Sequence, residues 1–429
     1  MSVSDVTPNT AAPASGVDRT YDSIDLSSRA FWARTADHRE RAFAELREQR
    51  PVSWHPPVED SLMPDPADRG YWAVTRHADV AEVSRNSEVF LSGQGVLFEN
   101  IPEELLEASQ SFLAMDPPRH TLIRKVVHAA FTPRQVRRIE ESIKANAKEI
   151  VTEMRAAGSG VDFVDHCAKE LPIRTLSDMV GIPESERHRV AEAADALVSW
   201  SDEVYLDGRN PLEVLVANQM YLHQVALTLA AERRTNPGDD LLSALVQAEV
   251  EGSRLTDPEV AAFFVLLAVA GNDTTRQTTS HAMKALTDHP EQRAWLLEDF
   301  DGRIGMAVEE FIRWATPVMT FRRTAAVDCE LGGQQIRAGE KVVMFYSSSN
   351  RDAEVFDRPQ EFDLSRSPNP HQGFGGGGRH FCLGAHVARA QLRAIFGELL
   401  AQIPDLQAGE PAYVPGNFIH GVRSMPVTW

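Results

Sequence analysis

Cysteine is scarce: three residues in 429, at 167, 329 and 382, too few and too widely spaced to form a disulfide framework. Basic charge is also in short supply. Lys and Arg number 43 against 62 Asp and Glu, a formal net charge of −19. That balance argues against nucleic-acid binding, which needs a basic surface. No apolar run is long enough to span a membrane; the longest, VAAFFVLLAVAG at 260–271, runs straight into NDTT. The opening MSVSDVTPNTAAPASGVDRT lacks the basic and apolar regions of a signal peptide, so a cytoplasmic location is expected. Internal repeats are absent, and strand-like runs are few: 71–77, 329–336, 341–346 and a β-like end at 411–429.

What remains is mostly helical. Hydrophobic residues make up 43% and charged residues 24%, the composition of a globular protein with a large core. Residues 1–20 are rich in Ser, Thr, Pro and Ala and are expected to form a disordered tail. Helical periodicity covers 119–131, 135–155, 185–202, 212–233, 258–288, 292–301, 304–314 and 383–403. The pattern is mainly α with a small β region (α+β), without the alternation of a doubly wound sheet. One helix is unusually long. Asp257 is placed to cap it, Pro258 suits its first turn, and it runs to His289-Pro290. Its first half is apolar all round and should be buried.

Residues 373–384 read GFGGGGRHFCLG, with four consecutive glycines before the last cysteine. Gly373, Gly375 and Gly378 formally fit a dinucleotide fingerprint, but SRSPNPHQ in front of them is no strand. A zinc site using His380, Cys382 and His386 would lack a partner pair of ligands. A flexible surface loop with an incidental thiol is the plain alternative. Haem-thiolate ligation is the fourth reading. Cys382 lies just before the helical run LGAHVARAQLRAIFGELL, where the helix dipole and free N–H groups favour a thiolate. Glycines would let backbone amides approach the sulfur, and Gly384 would let the helix start lie flat beneath a porphyrin.

The segment resembles the cysteine-ligand loop of the cytochrome P-450 superfamily, G-x-H/R-x-C-x-G, with Gly378, His380, Cys382 and Gly384 in place. Further motifs agree. In AGNDTT (270–275) an acid and an alcohol sit side by side in the buried helix, which is costly unless they meet partners or water. Thr274 can bond the carbonyl of Ala270 and open a groove, with Gly271 leaving room for a diatomic ligand. The stretch resembles the family's oxygen-activation motif, which implies that Asp273 relays protons and Thr274 assists oxygen activation. EFIR (310–313) resembles the E-x-x-R pair, structural rather than catalytic, completed by Arg366. MDPPRHTLIRK, with Asp116 as cap, places His120 and Arg124 four apart, like the family's propionate-binding helix. Arg323 in FRRTA resembles the arginine that reaches a propionate, its neighbour Arg322 being the weaker choice.

The motifs follow the family's order from about residue 70 onward. The resemblance implies one domain over 21–429, with haem b (iron protoporphyrin IX) buried between the long helix and the cysteine-loop helix. Cys382 would be the axial iron ligand. His120, Arg124, Ala270, Arg323, Phe374, Gly376, His380 and Gly384 would contact the cofactor, and Asp273 and Thr274 would be catalytic. The implied reaction inserts one oxygen atom of O₂ into an unactivated C–H bond. No reductase domain is fused, so ferredoxin and ferredoxin reductase are the implied electron donors. Arg119, Arg124, Lys125, Arg134, Arg137, Arg138, Arg379, Arg389 and Arg393 would form the basic docking patch.

The pocket should be lined by 92–115, by the long helix around Leu267 and Asn272, and by 316–321 and 417–420. It should show no inward-facing charge, which implies a hydrophobic small-molecule substrate. The family usually has an aromatic seven residues before the cysteine; here that position is Gly375, with Phe374 one residue earlier. This form resembles a bacterial branch acting on methyl-branched fatty acids, isoprenoids and sterol side chains. Tailoring of macrolides or terpenoids is the alternative, and a non-catalytic haem sensor a remote one.

Overall fold

The computed structural model describes residues 19–429, apart from 60, 102–105, 107, 109–110, 131–132, 201 and 251. Nearly all of the expected N-terminal tail therefore lies outside the described residues. Its end is held: Arg19 pairs with Glu340 at 3.0 Å and lies 4.6 Å above the Trp72 ring, so ordered structure reaches back to Arg19.

Helices dominate, and the longest is Asp257–Asp288, 32 residues and about 48 Å at 1.5 Å per residue. Its cap is Thr256 rather than the expected Asp257. Thr256 and Glu259 form a reciprocal capping box, while Asp257 takes the first helical position and pairs with Arg234. The helix stops at His289 because Pro290 opens the next one, Pro290–Glu298. Its first half packs Phe263, Phe264 and Val265 into one core, and its second half packs Met283 and Leu286 against Phe311 and Phe396 in another. One rod thus joins the two largest cores.

Five strands form the main sheet, in the order Val52–His55, Tyr71–Val74, Lys341–Phe345, Thr320–Ala325, Phe90–Leu91. Among the described residues only the Tyr71–Val74 and Lys341–Phe345 pair is parallel. Alternation of side chains feeds two separate cores. Trp72, Val342 and Met344 enter one, while Tyr71, Val343 and Phe345 meet Trp32 and Phe43 in the other. By the same alternation Arg322 and Arg323 leave their strand on opposite faces. The run 329–336 is a hairpin of two short strands, Cys329–Leu331 and Gln334–Ile336.

The helix Phe300–Ala315 carries the E-x-x-R pair inside the protein. Glu310 and Arg313 are fully buried and make two parallel hydrogen bonds of 2.7 and 2.6 Å. Arg366 approaches the same carboxylate at 3.3 Å, and the Asp363 amide and Asn369 amide group donate to it at 3.0 Å each. Arg313 also reaches the carbonyls of Asn350, Pro359 and Glu361. The helix thereby holds the irregular chain 350–369 that leads to the cysteine loop. Removing one member leaves uncompensated buried charge. Glu310→Ala should cost about 3–5 kcal/mol of stability, read by thermal unfolding.

Candidate active site

Cys382 sits three residues before the helix Ala385–Gln402, in an extended loop rather than directly at its start. Its amide donates to the Phe374 carbonyl at 3.0 Å, which closes the loop on itself. Burial pushes the thiol up. The amide of Gly384, the charges of Arg124 and Arg389, and the amide of Ala385 all pull the other way, toward thiolate. The amides that bear on the sulfur thus come from the helix start and not from the glycine run. The run has a different duty. A Cβ on Gly378 would stand 2.6 Å from the Ser84 carbonyl oxygen, and one on Gly376 would stand 2.8 Å from the Ser84 Cβ. Close packing on the helix His77–Arg85 is what demands glycine there.

Gly375 has φ +97°, a region unfavourable for an aromatic L-residue. The Phe374 ring instead lies under the Arg389 guanidinium, 4.5 Å away, and Arg389 is bound twice to Glu309 at 2.6 and 2.8 Å. His386, the third residue of the zinc reading, turns to Glu140 at 2.7 Å.

A cluster of basic groups lies beside the loop. The rings of His120 and His380 are 4.3 Å apart. Both ring nitrogens of His120, which is 1% exposed, and Nδ1 of His380 are buried without a hydrogen-bond partner. His380 Nε2 meets Ser92 Oγ at 3.1 Å. Burial, then Arg124, Arg379 and Arg323, pushes His120 down to about 4; burial, then Arg323 and His120, pushes His380 down to about 2. A buried group of donors and cations with unused ring nitrogens is built to receive anions. Arg323 belongs to this group. Arg322 does not, because it is spent on the carbonyls of Gln94 and Glu99 and on Asn100 Oδ1. Arg124 donates to the Phe381 carbonyl at 2.6 Å, tying the His120 helix to the cysteine loop.

At the start of that helix, Arg119–Ala130, the Asp116 backbone carbonyl accepts from the His120 amide at 3.0 Å, but its side chain, the expected cap, is turned elsewhere. The Asp116 carboxylate accepts from the amides of Ser92 and Gly93 at 2.8 Å each, because the neighbouring loop offers it two donors.

Across the cleft, Thr274 Oγ1 donates to the Ala270 carbonyl at 2.8 Å. Ala270 is exposed, and a Cβ at Gly271 would meet nothing within 4 Å; the same holds at Gly384 on the opposite side. Two bare surfaces, one next to the thiol and one next to the Thr274 groove, suit a flat macrocycle. The two carboxylates of haem b match the basic cluster, so these residues fit the cofactor.

Asp273 is not isolated. Gln277 Nε2 donates to it at 2.9 Å, Arg276 binds it, and Arg276 also binds Asp195 at 2.7 Å. Asn272 turns to Asp195 at 3.0 Å instead of lining the pocket. Burial, with the nearby Asp273 charge, pushes the Asp195 carboxyl up against the pull of Arg276. Sequence reading missed both partners. Arg276, three residues after Asp273, carried a spacing signal; Asp195, on the separate helix Glu184–Val198, carried none.

A cavity of about 730 Å³ opens beside this network. Leu97, Leu113, Leu266, Val269 and Phe418 line it, in keeping with the expected 92–115 and 417–420 segments, of which 102–105, 107 and 109–110 lie outside the described residues. Leu267 and the 316–321 segment are not on its wall. Contrary to expectation, charged groups do face inward, among them Glu99, Asp202, Arg276 and Arg423. Pairing makes most of them tolerable: Arg423 binds Asp202 at 2.7 Å.

The cytochrome P-450 family model matches residues 210–402. A methyl-branched lipid omega-hydroxylase of Mycobacterium tuberculosis is 42% identical over 409 residues, covering 95% of this chain and 94% of that protein. A steroid C26-monooxygenase of Mycolicibacterium smegmatis is 38% identical, covering 90% of this chain and 89% of that one. A solved Mycobacterium marinum cytochrome P-450 in complex with pseudoionone superposes with TM-score 0.93 at 76% identity, over 96% of this chain and 99% of that chain.

If the basic cluster anchors haem carboxylates, each charge-assisted bond contributes about 1.5–3 kcal/mol. His120→Ala should then release haem to apomyoglobin roughly 10- to 100-fold faster than the parent, a rate read at the Soret band.

Proposed function

Because this chain belongs to the cytochrome P-450 family, and is with it an oxygen-dependent haem b monooxygenase, we propose that it hydroxylates a methyl-branched or sterol-like lipid with electrons from a ferredoxin. The observation that carries the substrate class is the cavity, about 730 Å³ and walled largely by aliphatic residues, opening beside Asp273. It has the size of a site for a lipid of moderate length. The lipid and steroid hydroxylases among the relatives support the same class, as does the Gly375 form of the cysteine loop.

On this reading Cys382 would hold the haem iron through its sulfur, and His120, Arg124, Arg323 and His380 would hold the two propionates. Ala270 and Gly384 leave the flat space between them, while Phe374 and Gly376 shape the loop behind the sulfur. Bound haem supplies the oxidising chemistry: two electrons and two protons convert O₂ and R–H into R–OH and water. The sulfur must be ionised to bind, and against burial, which pushes the thiol up, the Gly384 and Ala385 amides with Arg124 and Arg389 pull toward thiolate. It must also deliver protons without flooding the site. Asp273 would hand the proton over, while Arg276, a permanent cation, positions it and ties it to Asp195, which keeps some surface exposure. Thr274 holds the groove open through its bond to Ala270.

The electron donor would dock near the cysteine loop, where Phe381 is 39% exposed. Part of the basic patch is already neutralised: Arg134 and Arg138 share Asp239, and Arg389 is bound to Glu309. Arg137, exposed on the helix Pro133–Ala157, remains a candidate contact for an acidic ferredoxin.

The reduced, carbon-monoxide-bound protein should show the red-shifted thiolate Soret band, and methyl-branched lipids should shift the haem spin state and yield hydroxylated products. A preference for macrocyclic substrates over all branched lipids and sterols would overturn the substrate class. Arg137→Glu should slow reduction by a ferredoxin several-fold at low salt, with the difference shrinking as ionic strength rises, read by stopped flow. Equal rates at every salt concentration would remove this face from the docking surface.

A further inference from the structure

Each charged group that lines the cavity can be asked what balances it. Arg276 is balanced by Asp195 and Asp273, and Arg423 and Asp202 by each other. Arg29 pairs with Glu203 at 3.7 Å, and Glu59 accepts from the Arg29 amide at 2.9 Å. Glu99 differs. Among the described residues its carboxylate accepts one side-chain hydrogen bond, from the neutral amide of Asn417 at 3.2 Å.

The cations nearest Glu99 are committed elsewhere. Arg322 gives its guanidinium to the carbonyls of Gln94 and Glu99 and to Asn100 Oδ1, so it fixes the backbone of Glu99 but not its carboxylate. Lys341 is bound to Asp68. Asn417 is itself anchored, its carbonyl accepting from Thr320 Oγ1 at 2.8 Å. A carboxyl held in place, half-buried on the cavity wall and without a counter-ion, is costly to ionise. Burial accordingly pushes Glu99 up, outweighing the Asn417 bond and the more distant Arg322 and Lys341 charges. A carboxyl kept protonated can donate its O–H to an oxygen acceptor, and an ionised one repels an anion. In either state a free carboxylate beside it leaves at least one negative charge at this wall without a counter-ion.

We infer that Glu99 is a specificity-determining residue that selects substrates with an uncharged oxygen, a ketone, ester or alcohol, over those with a free carboxylate. The inference rests on the lipid-hydroxylase reading and narrows it: the acceptable lipid is hydrophobic, branched and neutral at the end that meets Glu99. The polar end of the substrate lies against the wall formed by Glu99, Asn417 and Phe418 rather than at an open rim.

The test uses the haem-loaded enzyme and three probes of one skeleton: geranylacetone, the carboxylic acid in which COOH replaces its acetyl group, and the oxygen-free hydrocarbon. Dissociation constants are read from the haem spin-state shift. The parent should bind the ketone about 10-fold or more tighter than the acid. Glu99→Gln keeps a donor for the ketone and leaves a single carboxyl at this wall when the acid binds, so the ketone should be retained and its advantage over the acid should shrink several-fold. Glu99→Leu should lose several-fold affinity for the ketone while binding the hydrocarbon as well as the parent does. An unchanged ketone-to-acid ratio in Glu99→Gln overturns the inference, even if Glu99→Leu fails to retain haem. Failure of all three probes, and of other branched lipids, to bind the parent would instead overturn the substrate class itself.

Discussion

Two adjacent carboxylates on the helix Phe300–Ala315 hold the parts of this protein that must not move. Glu310, fully buried, gathers Arg313, Arg366, the Asp363 amide and Asn369, and so secures the irregular chain approaching the cysteine loop. Glu309, one residue earlier, binds Arg389 of the Ala385–Gln402 helix and His371 at the start of the loop. Against burial, which pushes it up, these two hydrogen bonds hold the Glu309 carboxyl down at about 2. The thiol therefore has its loop fixed in front and its helix fixed behind by neighbours on one rigid element. The desolvation cost of so many buried charges is high, and it is offset because each has several partners. What this arrangement secures is position.

The same logic divides the two faces of the cleft. On the sulfur face, basic groups accumulate without a salt-bridge partner among the described residues: Arg124 and Arg323 crowd His120 and His380, whose imidazoles burial holds toward the neutral form. Such a cluster is poorly satisfied until anions arrive, so cofactor binding completes the structure as well as the chemistry. On the opposite face, charge is internally balanced. Arg276 stands between Asp195 and Asp273 and connects the helix Glu184–Val198 to the long helix at the point where the cavity begins. The Asp273–Arg276–Asp195 network and the cavity share this wall. Any movement of Glu184–Val198 that admits substrate must act on the Arg276 link.

Much of this could be read from the chain before it was folded. The long helix, the helical bulk and the E-x-x-R pair with Arg366 were legible, since helical spacing and local motifs are properties of neighbouring residues. The Thr274 bond to Ala270 was legible for the same reason, four residues being one helical turn. Caps were less so. Thr256 and Asp257 are both good capping residues, and Glu259 decides between them by closing a box with Thr256. Asp116 looked like a cap because the sequence does not show that Ser92 and Gly93 would bring it two amides.

The glycine run shows most clearly where the division falls. The sequence by itself determined that 375–378 must be conformationally free and that a thiol follows, because only glycine tolerates such crowding and such backbone angles. Tertiary structure decided what crowds it. The neighbour is the helix His77–Arg85, about 290 residues away in the chain (377 − 84 = 293), while the sulfur takes its amides from Gly384 and Ala385. Likewise the sequence determined a hydrophobic pocket, but its charges came into view only when folding set Asp202 beside Arg423 and Asp195 beside Arg276. Ion pairs between distant segments leave no periodic trace in a sequence. They exist because burial makes an unpaired charge expensive, and burial is a property of the fold.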